Sequence, residues 1–513
     1  MLKKGLKLLV SRLFIVGVLI LLQVSVLTLI IIKLSEYVTY AYFLFTAISL
    51  IVVLYIVNRD DNPSYKLAWV VPIMAFPIVG GPFYLMFGGN QASSKLKKKI
   101  KYALEKTLSF CEQDKSVIQE ITTQDKSAAN QSKYIYKHAL LPIHKNTTTK
   151  YLNSGEAFFE RLVEELKQAE HFIFMEYFIV EEGKMWNTIL EVLVQKVKEG
   201  VEVRMMYDDA GTITVLPYNY HDHLESLGIK TVVFNKLNPT LSILMNNRDH
   251  RKITVIDGHT GFIGGVNLAD EYINEVTKFG HWKDAALYLK GDAVWNLSLM
   301  FIQVWNFSTE DKIYNFADYG PHKYHELPFD NDGYVQPYGD SPLDNESTGE
   351  NVYLNIINRA KNYVYINTPY FIVDNEIITA LCLAAKSGVD IILVTPHIED
   401  KWYAHVLTRS YYAQLINAGI KVYEYTPGFI HSKTFVCDDE IGVVGTINLD
   451  YRSLYLHFEC GVWMYKTKSV LEIKDDFLET LKICTPISLN DALNIKWQTK
   501  VIASILKLFS PLM

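Results

Sequence analysis

HRKITVIDGHTGFIGGVN, at residues 250–267, recurs in form as HSKTFVCDDEIGVVGTIN at residues 431–448. In each copy a lysine follows the histidine by two residues, an aspartate follows the lysine by five, and an asparagine follows the aspartate by ten. A single His-x-Lys pair is most often an ordinary surface feature, but two copies with the same long spacing are hard to obtain by chance. We therefore interpret the copies as two halves of one active site.

Each copy is predicted to form a β-hairpin. Residues 253–256 and 434–437 are short β-favouring runs bounded by turn residues. The dipeptide Asp257-Gly258 is typical of a tight turn, and Asp438 holds the matching place in the second copy. Because residues two apart on a strand share a face, each histidine is expected to lie beside the lysine of its own copy.

The predicted register of the hairpins brings a small residue close to each histidine. If Ile256 pairs with His259 across the turn, Gly265 lies opposite His250, and the same count gives Thr446 that place in the second copy. The asparagines that end the two copies then lie just beyond. Each copy gathers an imidazole, an ammonium, a carboxamide and a small residue that permits close approach.

This set of side chains suits the chemistry of a phosphodiester. Lysine neutralises phosphoryl oxygens, asparagine donates hydrogen bonds to them, and histidine attacks phosphorus or transfers protons. The motifs contain no metal-binding spacing, so we predict neither a metal nor a cofactor, and the aspartates also suit a structural role in the turns. The predicted catalytic residues are His250, Lys252, Asp257, His431, Lys433 and Asp438, and the predicted substrate-binding residues include Asn267 and Asn448.

Both copies resemble the signature of the phospholipase D superfamily, H-x-K-x4-D-x6-G-[GS]-x-N, which occurs twice in its members. Thr446 departs from the glycine or serine of that signature and keeps a small hydroxyl in its place. The resemblance implies two α/β lobes with the active site at their interface. It also implies a covalent phosphohistidine on His250, with His431 protonating the leaving alcohol.

Two acidic residues follow the motifs. Asp284 follows Asn267 by seventeen residues, and Glu459 follows Asn448 by eleven. Either acid could be an ordinary surface carboxylate, but the resemblance supports a site role, in which each orients a histidine through its second ring nitrogen. We therefore group both acids with the substrate-binding residues. His457 stands where the family commonly has asparagine, and no role is assigned to it.

The similarity between the two halves extends beyond the motifs. Both halves show strands alternating with helices, which predicts two pseudo-symmetric α/β lobes with largely parallel cores, at residues 151–325 and 326–488. Two similar lobes packed about a pseudo-twofold axis would bring the histidines together. The matched strand, helix and strand are 171–180, 186–198 and 200–206 in the first half, and 363–373, 376–386 and 388–394 in the second.

Residues 1–90 are predicted to form a membrane-helix module. The uncharged apolar stretches 13–32 and 38–57 are each long enough to span a bilayer. A cleaved signal peptide is the alternative for the first, but its apolar core is too long and no cleavage site follows. Prolines and glycines within 67–87 favour a broken interfacial or re-entrant element. Basic residues on both sides of the spans predict a multi-pass protein of the cell membrane with its lobes in the cytoplasm.

The segments that flank the lobes are basic or amphipathic. Residues 91–150 form a predicted linker, whose lysine cluster at 95–101 is either a solvated helix or a contact for anionic lipid headgroups. Residues 489–513 place apolar side chains at helical spacing with lysines between them. This amphipathic C-terminal helix is predicted either to dock on the protein or to lie on the bilayer.

Composition argues against some functional classes. The chain has 513 residues and a net charge of −6, which argues against a nucleic-acid partner held by bulk charge. Its five cysteines form no disulfide framework and no zinc spacing, which indicates a reducing compartment.

The segment before the linker contains Asn62, Pro63, Trp69, Pro77, Gly80 and Tyr84. At these residues it resembles the N-terminal module of bacterial cardiolipin synthases. That resemblance implies a phosphatidyltransferase that joins two phosphatidylglycerol molecules into cardiolipin and glycerol at a bilayer. The alternatives are a membrane-bound phospholipase D hydrolase, a phosphatidylserine synthase, an endonuclease, which the membrane module disfavours, and a non-catalytic lipid-binding scaffold. The motifs do not decide between water and a lipid alcohol as acceptor, and they leave the oligomeric state open.

Overall fold

The first motif copy lies within a seven-stranded mixed β-sheet. This computed structural model describes residues 38–88, 105–237, 247–344 and 346–512, together with residues 21, 22, 24–26, 28 and 29. The first eight strands are β1 (Thr147–Leu152), β2 (Phe172–Tyr177), β3 (Glu202–Asp208), β4 (Lys230–Phe234), β5 (Ile253–Ile256), β6 (Thr260–Gly264), β7 (His281–Lys283) and β8 (Ala286–Gly291). The sheet has the order β1-β8-β6-β5-β2-β3-β4, with β7 outside it.

The second copy lies within an eight-stranded sheet of matching design. The remaining strands are β9 (Tyr334–Asp340), β10 (Tyr363–Asn367), β11 (Phe371–Ile372), β12 (Asp390–Pro396), β13 (Lys421–Tyr425), β14 (Gly428–Ile430), β15 (Thr434–Cys437), β16 (Ile441–Gly445), β17 (Leu449–Asp450), β18 (Glu459–Tyr465) and β19 (Cys484–Pro486). The order β9-β18-β16-β15-β10-β12-β13 repeats that of the first sheet, and β19 adds one edge strand.

The prediction of largely parallel cores is wrong, because each sheet is divided. Only β2, β3 and β4 pair in parallel in the first sheet, as do β10, β12 and β13 in the second. The motif strands β5 and β6 are joined by a tight hairpin, which requires antiparallel pairing. The strands that flank the hairpin also run antiparallel to it. The structure is therefore mixed α/β with two sheet-containing lobes.

Helices cover the sheets and join the lobes. One helix, α10, is buried along most of its length between the two sheets, where Leu297 packs in one cluster with Ile263 of the first sheet and Val444 of the second. The helices are α1 (Val38–Val57), α2 (Pro63–Ala75), α3 (Pro77–Phe87), α4 (Lys115–Gln124), α5 (Lys126–Ala139), α6 (Gly155–Lys167), α7 (Lys184–Lys198), α8 (Asp209–Thr212), α9 (Tyr220–Ser226), α10 (Val294–Ser308), α11 (Thr348–Arg359), α12 (Asn375–Lys386), α13 (Trp402–Asn417), α14 (Tyr451–Tyr455), α15 (Lys468–Leu481), α16 (Leu489–Leu493) and α17 (Trp497–Phe509).

The N-terminal helices α1, α2 and α3 form a small cluster of their own that sits on the second lobe. The segment 67–87 is interrupted at Phe76, which separates α2 from α3. Asn62 ties the cluster to the second lobe, because its Nδ2 donates to Asp374 Oδ2 at 2.9 Å and to the Tyr455 hydroxyl at 3.0 Å. The chain's C-terminal end joins the same cluster, since Leu512 packs against it.

The predicted membrane spans are not confirmed. Residues 38–57 do form one helix, but none of the helices among the described residues has the length and apolar character needed to cross a bilayer. Most of the stretch 13–32, and all of the lysine cluster at 95–101, lie outside the described residues.

Candidate active site

The motif hairpins form as expected, but their register differs from the prediction by one residue. Ile256 pairs with Thr260, not with His259, and the second hairpin has the same three-residue loop. Asp257 and Gly258 do adopt the positive φ angles of a tight turn. The carbonyl of His259 instead accepts a hydrogen bond from the amide of Gly291, the last residue of β8. The predicted pairing of Gly265 with the motif histidine is therefore wrong.

The motif aspartates lie at the far ends of the hairpins from the histidines. Asp257 accepts backbone N–H groups from Glu170, His171 and Phe172, each at 2.8 Å. Asp438 accepts the backbone N–H groups of Lys361, Asn362 and Tyr363 at 2.7–2.9 Å, where β10 begins. A four-residue strand, about 13 Å long, separates each aspartate from the lysine of its motif. The structure thus does not bring either aspartate to the histidines, and both anchor a turn to the start of the neighbouring strand.

Each motif histidine is held by a carboxylate from the opposite lobe. Nδ1 of His250 lies 2.9 Å from Oε1 of Glu459, in the second lobe. Nδ1 of His431 lies 2.6 Å from Oδ2 of Asp284, in the first lobe. All four side chains are buried. The two half-sites are therefore interlocked, and neither histidine receives its carboxylate from its own lobe.

Backbone contacts at the same points fix this exchange. The amide of His250 donates to the carbonyl of Phe458 at 2.9 Å, and the amide of His431 donates to the carbonyl of Lys283 at 2.7 Å. In both cases the accepting residue immediately precedes the acid that holds the histidine. Strands β7 and β14, which lead into Asp284 and His431, pair in parallel across the lobes. The pseudo-symmetry thus extends to individual hydrogen bonds.

The motif lysines are buried beside their histidines. Nζ of Lys252 donates to the carbonyl of His250 at 2.5 Å, and Nζ of Lys433 donates to the carbonyl of His431. Burial lowers the pKa of Lys252 to about 8 and that of Lys433 to about 7. An ammonium has three donors, so each lysine keeps hydrogens for a bound anion.

Burial and the neighbouring cations keep both imidazoles neutral. Burial, then Lys252 and Lys433, hold the pKa of His250 well below its usual range. Burial and Lys433 lower the pKa of His431 to about 4, although Asp284 opposes them. Burial acts to raise the pKa of Asp284 itself, but His431 and Lys433 together hold it below its ordinary value. A neutral histidine whose Nδ1–H is bound by a carboxylate presents the lone pair of Nε2.

The two motif asparagines differ in their partners. Both ends of the Asn267 carboxamide are engaged, because its Oδ1 accepts the amide of Ile179 at 3.0 Å and its Nδ2 donates to the Tyr272 hydroxyl at 2.7 Å. Oδ1 of Asn448 is buried with no hydrogen-bond partner in the described part of the chain. Of the two predicted substrate ligands, only Asn448 has an unengaged carboxamide oxygen.

Gly265 and Thr446 each adjoin the acid that holds a histidine. A Cβ on Gly265 would lie 2.1 Å from Oδ1 of Asp284, so that position accepts no side chain. Thr446 instead donates its hydroxyl to Oε2 of Glu459 at 2.5 Å. Gly265 therefore makes room for the carboxylate of Asp284, and Thr446 orients the carboxylate of Glu459.

Comparison with known proteins shows the family to which this chain belongs. A family model described as "Cardiolipin synthase, PLD-like domain" matches residues 162–277 and 353–481. A cardiolipin synthase of Halalkalibacterium halodurans is 36% identical over 91% of this chain and 92% of its own length. This chain belongs to the cardiolipin synthase family of the phospholipase D superfamily. A second model, described as "Phospholipase_D-nuclease N-terminal", matches residues 46–89, the N-terminal module of this family member.

Two further relatives extend the comparison. An uncharacterised protein of Streptococcus mutans is 44% identical over 90% of this chain and 99% of its own length. The crystal structure of phosphatidylserine synthase from Haemophilus influenzae has a TM-score of 0.56 at 13% identity, and it covers 74% of this chain and 97% of that one. That structural likeness shows a shared fold.

One buried residue beside the site was assigned no role from the sequence. The ring of His457 lies 5.5 Å from that of His250 between centroids, and neither of its nitrogens has a hydrogen-bond partner among the described residues. His250, His457 and Glu459 each offer one ligand atom within 4.8 Å of the others, so they could hold a metal ion. The sequence signal was the departure of His457 from the asparagine common in the cardiolipin synthase family.

Proposed function

We propose that this chain transfers a phosphatidyl group from one phosphatidylglycerol to another, which makes cardiolipin and releases glycerol. The observation that carries the proposal is the exchange of Glu459 and Asp284 between the lobes. This exchange interlocks His250 and His431 in one structural unit, as two cooperating catalysts of one transfer require. The curated synthase of Halalkalibacterium halodurans supports the choice of reaction.

In the first half of the reaction, Nε2 of His250 attacks the phosphorus of the donor lipid. Glu459 accepts the Nδ1–H bond, which leaves the lone pair on Nε2 and stabilises the positive charge that develops on the ring. The bond from phosphorus to Nε2 forms while the bond from phosphorus to the glycerol oxygen breaks. His431, which takes up a proton on Nε2 when the anionic substrate binds, gives that proton to the departing oxygen.

In the second half, the neutral His431 removes the proton from a glycerol hydroxyl of the second phosphatidylglycerol. The resulting oxygen attacks phosphorus, the bond to His250 breaks, and cardiolipin is released. Asp284 stabilises the imidazolium of His431 at both stages. Water must be kept out while the phosphatidyl-histidine exists, because hydrolysis would give phosphatidic acid.

The charge of the bound phosphodiester completes the site. Its non-bridging oxygens take the remaining ammonium hydrogens of Lys252 and Lys433. That negative charge also raises the low pKa of His431, so the ring takes up, on substrate binding, the proton that the leaving glycerol needs. Asn448 can turn its carboxamide towards the phosphoryl group, whereas Asn267 positions the loop around it.

The lipid substrates reach the site from a bilayer on which the protein sits. Exposed apolar side chains cover the outer faces of α1, α2 and α3, among them Phe43, Leu54 and Leu67. Helix α17 buries Ala503 against the protein and leaves Trp497, which is 70% exposed, outside. These surfaces support membrane association, with the N-terminal module and the C-terminal helix in contact with lipid. The basic residues that flank the apolar stretches favour the cytoplasmic face.

The test supplies labelled phosphatidylglycerol to the protein in bilayers. Cardiolipin and glycerol in equal amounts are the expected products, and a variant with both motif histidines replaced by alanine is the blank. Phosphatidic acid alone would identify a hydrolase, and absence of turnover with any lipid would identify a binding scaffold. A parallel reaction with a nucleotide-activated diacylglycerol and serine tests the phosphatidylserine synthase alternative.

A further inference from the structure

His457 occupies a position that has a counterpart in the first lobe. It precedes Glu459 by two residues, as Trp282 precedes Asp284. Trp282 also lies against a motif histidine, with its ring centroid 5.2 Å from that of His431, and its Nε1 is 3.5 Å from Asp284 Oδ2. The first lobe thus fills this place with a side chain that cannot bind a metal, and the second fills it with one that can.

The nitrogens of His457 lack the partners that burial normally demands. The residue is 7% exposed, and neither ring nitrogen meets a hydrogen-bond partner in the described residues. Burying an imidazole in this way costs free energy unless a ligand, an ion or water satisfies it. Its Nδ1 lies 3.8 Å from Oε1 of Glu459, which is too long for a hydrogen bond.

We propose that His250, His457 and Glu459 form a site for a transition-metal ion such as Zn²⁺, and that an ion bound there inhibits the enzyme. Two imidazoles and a glutamate are a common zinc ligand set. The Glu459 oxygen that lies 3.8 Å from His457 lies 2.9 Å from Nδ1 of His250. Ligand atoms around tetrahedral zinc are about 3.3 Å apart, so small movements of these side chains close the site.

A cavity gives cations a path to this site. It has a volume of about 580 Å³, and His457 forms part of its wall where the N-terminal helices meet the second lobe. Its wall carries four carboxylates against one guanidinium, that of Arg59, which pairs with Asp61, and this excess of negative charge concentrates cations. The carboxylates are Asp60, Asp61, Asp344 and Glu346, whereas burial raises the pKa of Asp340, which also lines the cavity, to about 8.

A metal ion bound to Nδ1 would make His250 non-nucleophilic by changing its tautomer. In the metal-free site, Nδ1 carries the proton that Glu459 accepts, and Nε2 keeps its lone pair. A metal bound to Nδ1 uses the lone pair of that atom, so the single proton of the neutral ring moves to Nε2 and the nucleophilic lone pair is lost. The His431 half has no such switch, because Trp282 stands in the equivalent place.

The first test measures binding without lipid, so its result does not depend on the proposed transfer reaction. The metal-free full-length protein in detergent is titrated with Zn²⁺ against a chromophoric chelator. We expect one site, weakened at least tenfold by His457→Asn. The matched control His322→Asn removes a half-exposed histidine paired with Asp292 and should bind as the wild type does. Absence of the site from the wild type, or equal affinity in His457→Asn, would overturn the proposal.

The second test identifies the ligands and the effect. Cu²⁺ bound to the wild type should show electron paramagnetic couplings to two imidazole nitrogens, and His457→Asn should lose one of them. In bilayers, Zn²⁺ should slow the wild type at least tenfold relative to its own chelator-treated rate, with much less effect on His457→Asn. Equal inhibition of the two proteins would show that the metal acts elsewhere.

Discussion

Nδ1 of His250 lies 2.9 Å from a carboxylate oxygen of Glu459, and these two residues belong to different lobes. The contact is one half of a reciprocal arrangement, since His431 is held by Asp284 in the same way. An acid in this position fixes the tautomer of the imidazole and stabilises its charged form. The arrangement leads to a direct test of both acids.

Replacement of either acid by its amide should remove most of the activity. In serine proteases, an amide in place of the orienting aspartate costs about 10⁴-fold in kcat. We expect Glu459→Gln and Asp284→Asn each to lower cardiolipin formation on the order of 10³-fold, with little change in melting temperature. Rates within tenfold of wild type would contradict the orienting role, and Glu472→Gln, on the surface near Lys150, serves as control.

Replacement of His431 should allow the covalent intermediate to accumulate between the two halves of the reaction. His431→Ala lacks the acid for glycerol release and the base for the second lipid, so turnover should slow more than formation of the covalent intermediate. Acid-quenched mass spectrometry should then find a phosphatidyl group on His250. A label on His431 in His250→Ala would reverse the assigned roles of the two residues.

The activity should depend on pH through the buried lysines. A lysine loses its positive charge as the pH rises through its pKa, and burial brings those of Lys433 and Lys252 to about 7 and about 8. Since kcat/KM reports groups of the free enzyme, it should decline between about pH 7 and 8, well below the ordinary lysine range. Lys433→Arg, which remains charged, should move this decline upward. A profile that stays level to about pH 10 would refute the assignment.

Asp257 should matter to stability and little to chemistry. Alanine in its place leaves three backbone N–H groups without their acceptor, which should lower the free energy of unfolding by about 3 kcal/mol. The rate per folded molecule should stay within a few-fold of wild type, as judged by activity normalised to the folded fraction. Asp318→Ala, which removes an exposed carboxylate paired with Lys323, should leave the melting temperature unchanged.

The hydroxyl of Thr446 should help to orient the carboxylate of Glu459, to which it donates a hydrogen bond. Thr446→Ser keeps the donor to Oε2 and should retain activity, whereas the equally large Thr446→Val removes it and should reduce kcat about tenfold. In the other half, Gly265→Ala forces a methyl group onto Asp284 and should cost more. Steady-state kinetics of the three variants would separate these effects, and equal rates for serine and valine would exclude a role for the hydroxyl.

Much of this fold follows from patterns in the chain. The repeated motif predicted two similar lobes, and β-favouring runs placed β5 and β15 correctly. The hairpin register could not be obtained in this way, because the hydrogen bond of His259 with Gly291 forms only in the folded sheet. The sequence likewise did not show that each motif histidine is held by an acid from the opposite lobe. Spacing showed that Asp284 and Glu459 follow the motifs, but which histidine each holds depends on contacts between lobes.

The sequence did not predict the hydrogen-bond partners of the Asn267 side chain or the distance of Asp257 from the histidines, and the reasons are related. Asparagine in a phosphate-binding motif suggests a ligand, and only the structure reveals that Ile179 and Tyr272 occupy both ends of its carboxamide. The aspartate was expected to serve in the turn as well as in catalysis, and the structure displays only the first of these contacts. A motif records which residues are required, without distinguishing contact with substrate from support of the scaffold.

The bonds between the lobes also limit how lipids can enter. If the lobes moved apart, the hydrogen bonds of His250 with Phe458 and Glu459 would break. Those of His431 with Lys283 and Asp284 would break as well. Such a movement would release both motif histidines from the carboxylates that orient them in every catalytic cycle. We therefore expect phospholipids to enter while the two lobes keep their relative positions, through movement of individual loops or side chains.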